Sequence, residues 1–216
     1  MGLVLAYLPK SPLMQMVALD AGISAVVGMR TDARAAFDEA LAVVGESHGR
    51  AAAAALASPA EALMIPENLS SEVVGSALYE AHMRPCHEAW TAGVRAAGKR
   101  SFVHLDGTLR GLLRQVSSAG FDVIEAMTPA PVGDVAVEDW AAFEPSGKTV
   151  FWGGLPGVYF TDLVPEAEFE RHVKAVLSVM KRQPRYVLGV ADQVPPDGLE
   201  RRVRRVGELV EEFGRF

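Results

Sequence analysis

Ser101-Phe102-Val103-His104-Leu105-Asp106-Gly107 is a short apolar run that ends in two polar groups and a glycine. In a β-strand alternate residues share a face, so His104 and Asp106 are expected on one side at the end of a strand, with Gly107 opening the turn. Five further runs have the same form, at 3–8, 62–66, 122–127, 149–154 and 186–191, each bounded by Gly, Pro, Asp or Asn. Short continuous apolar runs of this kind are what buried parallel strands require.

Helical patterns fill the intervals. Asp32 is placed to cap a helix running through the alanine tract 51–55, and Ser70 or Ser71 to cap one that Pro85 interrupts. Pro165 sits at a helix start, with Glu166 and Glu168 in the first turn and Lys181 and Arg182 at the far end. Asp197 is placed to cap a last helix whose apolar positions are Leu199, Val203, Val206, Val210 and Phe213. Alternating strands and helices imply a parallel α/β architecture of the TIM-barrel type, as one domain over 1–216. A closed barrel needs eight strands, and six are legible, so an incomplete barrel lacking its N-terminal part is expected. An open sheet exposes two edges, which predicts self-association or a partner that completes the barrel.

Composition narrows the function classes. Of 216 residues, half are hydrophobic, enough for a sizeable core, and the net charge of −6 gives no general affinity for nucleic acid. The basic cluster Arg201, Arg202, Arg204 and Arg205 is interleaved with glutamates and reads as a solvated helix face. The one cysteine, Cys86, allows no internal disulfide and reads as a packing thiol. No apolar stretch is long enough for a membrane span, and the opening apolar run reads as a strand rather than a leader, so a cytoplasmic protein is expected.

In barrels of this type the chemistry sits at the strand carboxyl ends. The residues there are Glu67 and Asn68, His104 and Asp106, Glu125 and Thr128, Gly154, and Asp192 and Gln193. A histidine beside a carboxylate binds a divalent metal or forms an acid–base pair; the bland alternative is a hydrogen bond that ties down a loop. Glu125 is acidic in an otherwise apolar strand and needs a partner, either in a site or as an ion pair with Arg110 or Arg114. Asp192 starts a turn or joins the site. Asn68 is a possible helix cap, and Glu67 is expected to point into the barrel mouth. His48, His82, His87 and His172 fall in helical patterns and read as surface or packing residues.

Five ordered segments carry a family resemblance: Pro66-Glu67-Asn68-Leu69-Ser70-Ser71, Phe102-Val103-His104-Leu105-Asp106-Gly107, Gly120-Phe121-Asp122-Val123-Ile124-Glu125, Trp152-Gly153-Gly154 and Leu188-Gly189-Val190-Ala191-Asp192-Gln193-Val194-Pro195. Together they resemble the C-terminal two thirds of the uroporphyrinogen decarboxylase superfamily. That superfamily comprises the decarboxylases, corrinoid-dependent methyltransferases and cobalamin-independent methionine synthases. The resemblance implies catalytic roles for His104, Asp106 and Glu125, and substrate contacts at Glu67, Asn68, Gly154 and Gln193. It also implies a divalent metal, zinc or similar, on His104, Asp106, Glu125 and Asp192, with a corrinoid as methyl carrier. Asp106 and Asp192 stand where the methyltransferases carry cysteines, a change toward harder metals. The expected activity is metal-assisted one-carbon transfer. The alternatives are metal-free decarboxylation of a tetrapyrrole and a truncated, non-catalytic barrel subunit.

Overall fold

The chain is described by a computed structural model over residues 2–214. Met1, Arg215 and Phe216, the ends of the expected domain span, lie outside the described residues. Six parallel strands form one sheet in sequence order: β1 (Leu5–Tyr7), β2 (Ala62–Leu69), β3 (Arg100–Leu105), β4 (Val123–Met127), β5 (Val150–Pro156) and β6 (Tyr186–Ala191). The helices are α1 (Pro12–Gln15), α2 (Ile23–Asp32), α3 (Arg34–Ala57), α4 (Ser76–Leu78), α5 (Arg84–Ala96), α6 (Leu113–Ser118), α7 (Trp140–Phe143), α8 (Glu166–Met180) and α9 (Glu200–Phe213). Among the described residues β1 pairs only with β2 and β6 only with β5, so the sheet is open, an incomplete barrel as the strand count implied.

The period of two divides each strand between two environments. Leu63, Ile65, Val103, Leu105, Ile124 and Phe151 face the helices and belong to the main core. The opposite face holds a much smaller cluster of Ala62, Met64 and Phe102, flanked by Leu5, Val123 and Trp152. Full burial of one such side chain stabilises by about 1.5–3 kcal/mol, so most of the fold's stability resides between sheet and helices. The inner face is thereby left free to carry polar groups.

Three caps expected from sequence are not formed. Asp32 ends α2, and Ala33 precedes α3. Ser70 and Ser71 instead hold Thr108 across the strand ends: Ser70 Oγ lies 3.1 Å from Thr108 Oγ1, and Ser71 Oγ donates to Thr108 O at 2.9 Å. Asp197 lies within the turn that Gly198 N closes on Pro195 O, and the residue preceding α9 is Leu199. Pro85 does not end its helix as expected: helical backbone runs on from Ser76 to Ala96, and the missing N–H is accommodated by a π-helical turn at Tyr79–Met83 that gives way to α5, where proline fits the first turn.

The last helix also turns differently from its apolar pattern. Val203 and Val210 are exposed, whereas Leu209 and Arg202 are buried. Arg202, read as part of a solvated face, is 2% exposed. Its guanidinium donates to the carbonyls of Tyr159 (2.8 Å), Thr161 and Val164 (2.6 Å) and to Glu166 Oε2 (3.0 Å). Five fixed N–H donors match the carbonyls that the irregular segment 159–164 cannot satisfy itself, and this overrides the usual exposure of arginine.

Candidate active site at the strand carboxyl ends

His104 and Glu125 stand opposite each other on β3 and β4. The parity of β3 puts His104 on the inner face with Phe102, and that of β4 puts Glu125 there with Val123. His104 Nδ1 lies 2.6 Å from Glu125 Oε2, and the two side chains are 13% and 15% exposed. Neither Arg110 nor Arg114 competes for Glu125. Arg110 donates to Asp134 O and Arg114 to Ala142 O. Asp192, just beyond β6, brings Oδ1 to 3.7 Å from His104 Nε2. Burial works against a charge on His104, but the hydrogen bond and charge of Glu125, with smaller contributions from Asp192 and Asp106, hold its pKa above the ordinary imidazole value. The carboxylate on Nδ1 fixes the tautomer and leaves Nε2 as the atom that exchanges a proton.

Two cavities share Asp192 and Gln193 as a common wall. The first, of about 340 Å³, holds His104 and Glu125 with Tyr7, Met64, Pro66 and Asn68. The second, of about 480 Å³, is lined by Asp106, Gly107, Thr128, Gly157, Leu163 and Asp197 among others. His104, Glu125 and Asp192 thus converge, while Asp106, one residue past β3, lies in the adjoining cavity and reaches His104 through its charge. Three non-glycine residues with positive φ surround this region: Asn68 (51°), Ala126 (64°) and Asp192 (67°). Such conformations are costly and cluster at functional sites. No sequence signal marks Ala126.

Two expected substrate residues are placed elsewhere. Glu67 has the parity of Leu63 and Ile65 and points to the helices, where it is fully buried. Its Oε1 is 2.7 Å from His87 Nε2 and accepts the Ser11 N–H at 3.0 Å, so it does not reach the mouth. The period of two that paired His104 with Asp106 already carried this result. Gly154 also faces the helices: a Cβ there would stand 2.9 Å from Val176 Cγ1, and its carbonyl receives His172 Nε2 at 2.8 Å. Asn68 and Gln193 do line the His104 cavity. Tyr7 and Thr128 share these walls, and no sequence signal marks Tyr7.

The metal expected on His104, Asp106, Glu125 and Asp192 does not fit this arrangement. Nδ1 of His104 is engaged by Glu125, and Asp106 faces another cavity. Among the described residues no three His, Cys, Asp or Glu side chains form a grouping that could hold a metal ion. The positive charge that clustered carboxylates require is available from His104 itself.

A parallel, barrel-type sheet with its titratable cluster at the strand carboxyl ends defines an α/β barrel-type protein, here without closure. The chain belongs to the uroporphyrinogen decarboxylase (URO-D) family, whose model matches residues 9–213. No curated protein matches the chain. Among solved structures, a methyltransferase from Methanosarcina mazei is similar with a TM-score of 0.67 at 12% identity. The match covers 96% of this chain and 59% of that one, so the chain spans about three fifths of that structure's length. No helix among the described residues is long and apolar enough to cross a membrane.

Proposed function

We propose that this chain is a URO-D family enzyme that transfers a one-carbon (methyl) group to a small acceptor, with His104 as the proton-transferring group. The observation that carries the reading is the 2.6 Å Glu125–His104 pair, with Asp192 beyond it at 3.7 Å, over a solvent-reachable cavity. A base oriented by a carboxylate is the arrangement that activates a weak nucleophile. In the proposed step the acceptor's proton passes to Nε2 of His104 as the bond from acceptor to methyl forms. The bond from methyl to its carrier breaks, and its electron pair stays with the carrier. Glu125 holds the ring, and Asp192 stabilises the imidazolium that results. Asn68, Gln193 and Asp106 orient the acceptor. A corrinoid carrier, when docked at the mouth, supplies the methyl group.

Charge supports this reading over tetrapyrrole decarboxylation. The cavity walls carry Asp106, Glu125, Asp192 and Asp197 and no lysine or arginine. A substrate bearing several carboxylates would meet like charge there. We place the protein in the cytoplasm, as its single thiol suits a reducing compartment.

The test is methyl transfer from methylcobalamin to a panel of thiols and amines, read as loss of the methylated corrinoid's absorbance. Turnover that falls about 100-fold or more in His104→Ala and Glu125→Gln is expected, the usual scale for losing an acid–base group. Decarboxylation of a porphyrinogen in place of methyl transfer, or an unchanged His104→Ala, overturns the reading. A second reading, a non-catalytic barrel subunit, is favoured by the unpaired outer edges of β1 and β6 among the described residues. Light scattering that shows a complex, with no turnover in any assay, would support it.

A further inference from the structure

At the other end of the sheet, where β4 and β5 begin, lies a cavity of about 510 Å³ that the proposed reaction does not use. Its wall includes Arg95 from the last turn of α5, Ser117 from the end of α6, Asp122 from the entry to β4, and Lys148 and Thr149 from the entry to β5. Its character is opposite to that of the His104 cavities, whose walls hold carboxylates and no lysine or arginine.

Two observations point to a ligand. The first is an imbalance of charge. Asp122, the one carboxylate in the wall, is already engaged: its Oδ2 accepts the Ser101 N–H at 2.8 Å and the Ser101 hydroxyl at 3.0 Å, and its Oδ1 lies 3.3 Å from Arg100 Nη1. Lys148 makes no salt bridge among the described residues, and Arg95 uses one N–H on Gly120 O at 3.0 Å. Two cations therefore remain with donors to give. The second is Ser117, which is 7% exposed and whose Oγ is buried with no hydrogen-bond partner. Buried hydroxyls are nearly always satisfied, so an orphan of this kind calls for an explanation. The other hydroxyl is not available in this sense, because Thr149 Oγ1 donates to Phe121 O at 3.1 Å.

We propose that this cavity binds a phosphate-bearing small molecule, its oxyanion held by Lys148 and Arg95 and by the Ser117 hydroxyl. Phosphate accepts several charge-assisted hydrogen bonds at once, which matches an ammonium, a guanidinium and a hydroxyl around one space. The volume exceeds that of the free ion and leaves room for an ester. The site is separate from His104, so it stands whether or not the methyl-transfer reading does.

The experiment is isothermal titration of the full chain with inorganic phosphate and with glycerol 3-phosphate, against sodium chloride at matched ionic strength. Saturable binding of either phosphate, absent with chloride and weakened about tenfold in Lys148→Met and several-fold in Ser117→Ala, is expected for lost charge-assisted and neutral donors respectively. Tighter binding of the ester identifies an organophosphate ligand, and equal binding identifies the free ion; both support the site. No saturable heat with either probe, or affinity unchanged in either variant, overturns it. Ser117→Ala controls for folding, since removing an orphan hydroxyl leaves the packing intact; wild-type thermal stability with several-fold weaker binding is the expected result, and wild-type stability with undiminished affinity is an overturning one.

Discussion

The molecule contains the same chemical pair twice, on opposite faces of one sheet. Glu67 and His87 meet at 2.7 Å between β2 and α5, and both side chains are 0% exposed. His104 and Glu125 meet at 2.6 Å on the inner face and remain partly open. The first is closed further by Tyr79, whose hydroxyl lies 3.2 Å from His87 Nδ1 and whose pKa burial raises well above the ordinary phenol value. Both nitrogens of His87 are thus engaged by protein, whereas Nε2 of His104 faces a cavity. A glutamate–histidine pair is therefore a packing device or a site according to the face of the strand that holds it. Glu67 differs from its neighbour Asn68 in just this respect.

The largest expected effect tests the buried pair. His87→Ala leaves a cavity and strands the Glu67 carboxylate, so urea denaturation should show a loss of about 3–5 kcal/mol. His104→Ala, on the open face, should lose less, about 1.5–3 kcal/mol, the scale of one hydrogen bond to a charged group. Equal losses would break the comparison.

The open pair should be visible in pH dependence. The folded pKa of His104 is raised. Its contribution to stability is therefore fully present below about pH 6.5, the unfolded value, and is lost as pH rises through the raised folded value. Imidazole NMR should place the titration of His104 above that of an exposed histidine. In Glu125→Gln it should move downward, as a hydrogen bond to the charged form and a carboxylate charge are both removed. An unchanged titration would show that Glu125 does not set the charge of His104.

Cys86 reports on the closed pair at the lowest expected amplitude. Burial, with the charge of Glu67 adding, pushes its thiol up to about 12, so little thiolate is present near neutrality. Ellman's reagent should react slowly with the native protein. In His87→Ala the rate should rise severalfold while His104→Ala leaves it unchanged. A rise in both would mean that the two faces open together.

Much of this protein is local in origin. The six strands could be read from apolar runs and their punctuation, and all six form one parallel sheet. The inner-face positions of His104 and Glu125 follow from alternation along β3 and β4, as does the outward placement of Glu67. Pro85 marks a change of winding, not a break, because a proline has no N–H to give, wherever it lies. The helix starts were less legible: Asp32, Ser70, Ser71 and Asp197 are good capping residues, yet competing backbone geometry and, for the serines, the nearby Thr108 decide their roles.

What only the tertiary structure decided are the partners. Arg202 looks like its neighbours Arg201 and Arg204 in sequence, and it is buried because the segment 159–164 brings unsatisfied carbonyls to it from about forty residues away. Asp192 reaches His104 because a sheet wound in order brings β6 toward β3 at the carboxyl ends. Asp106 shares the parity of His104 but falls beyond the strand, where the turn and not the pleat sets its direction. Sequence periodicity fixes which face a residue takes, since that is a property of the local backbone. Distance between residues far apart in the chain depends on how the elements pack, and that is where the metal set was lost and the His104–Glu125–Asp192 cluster formed.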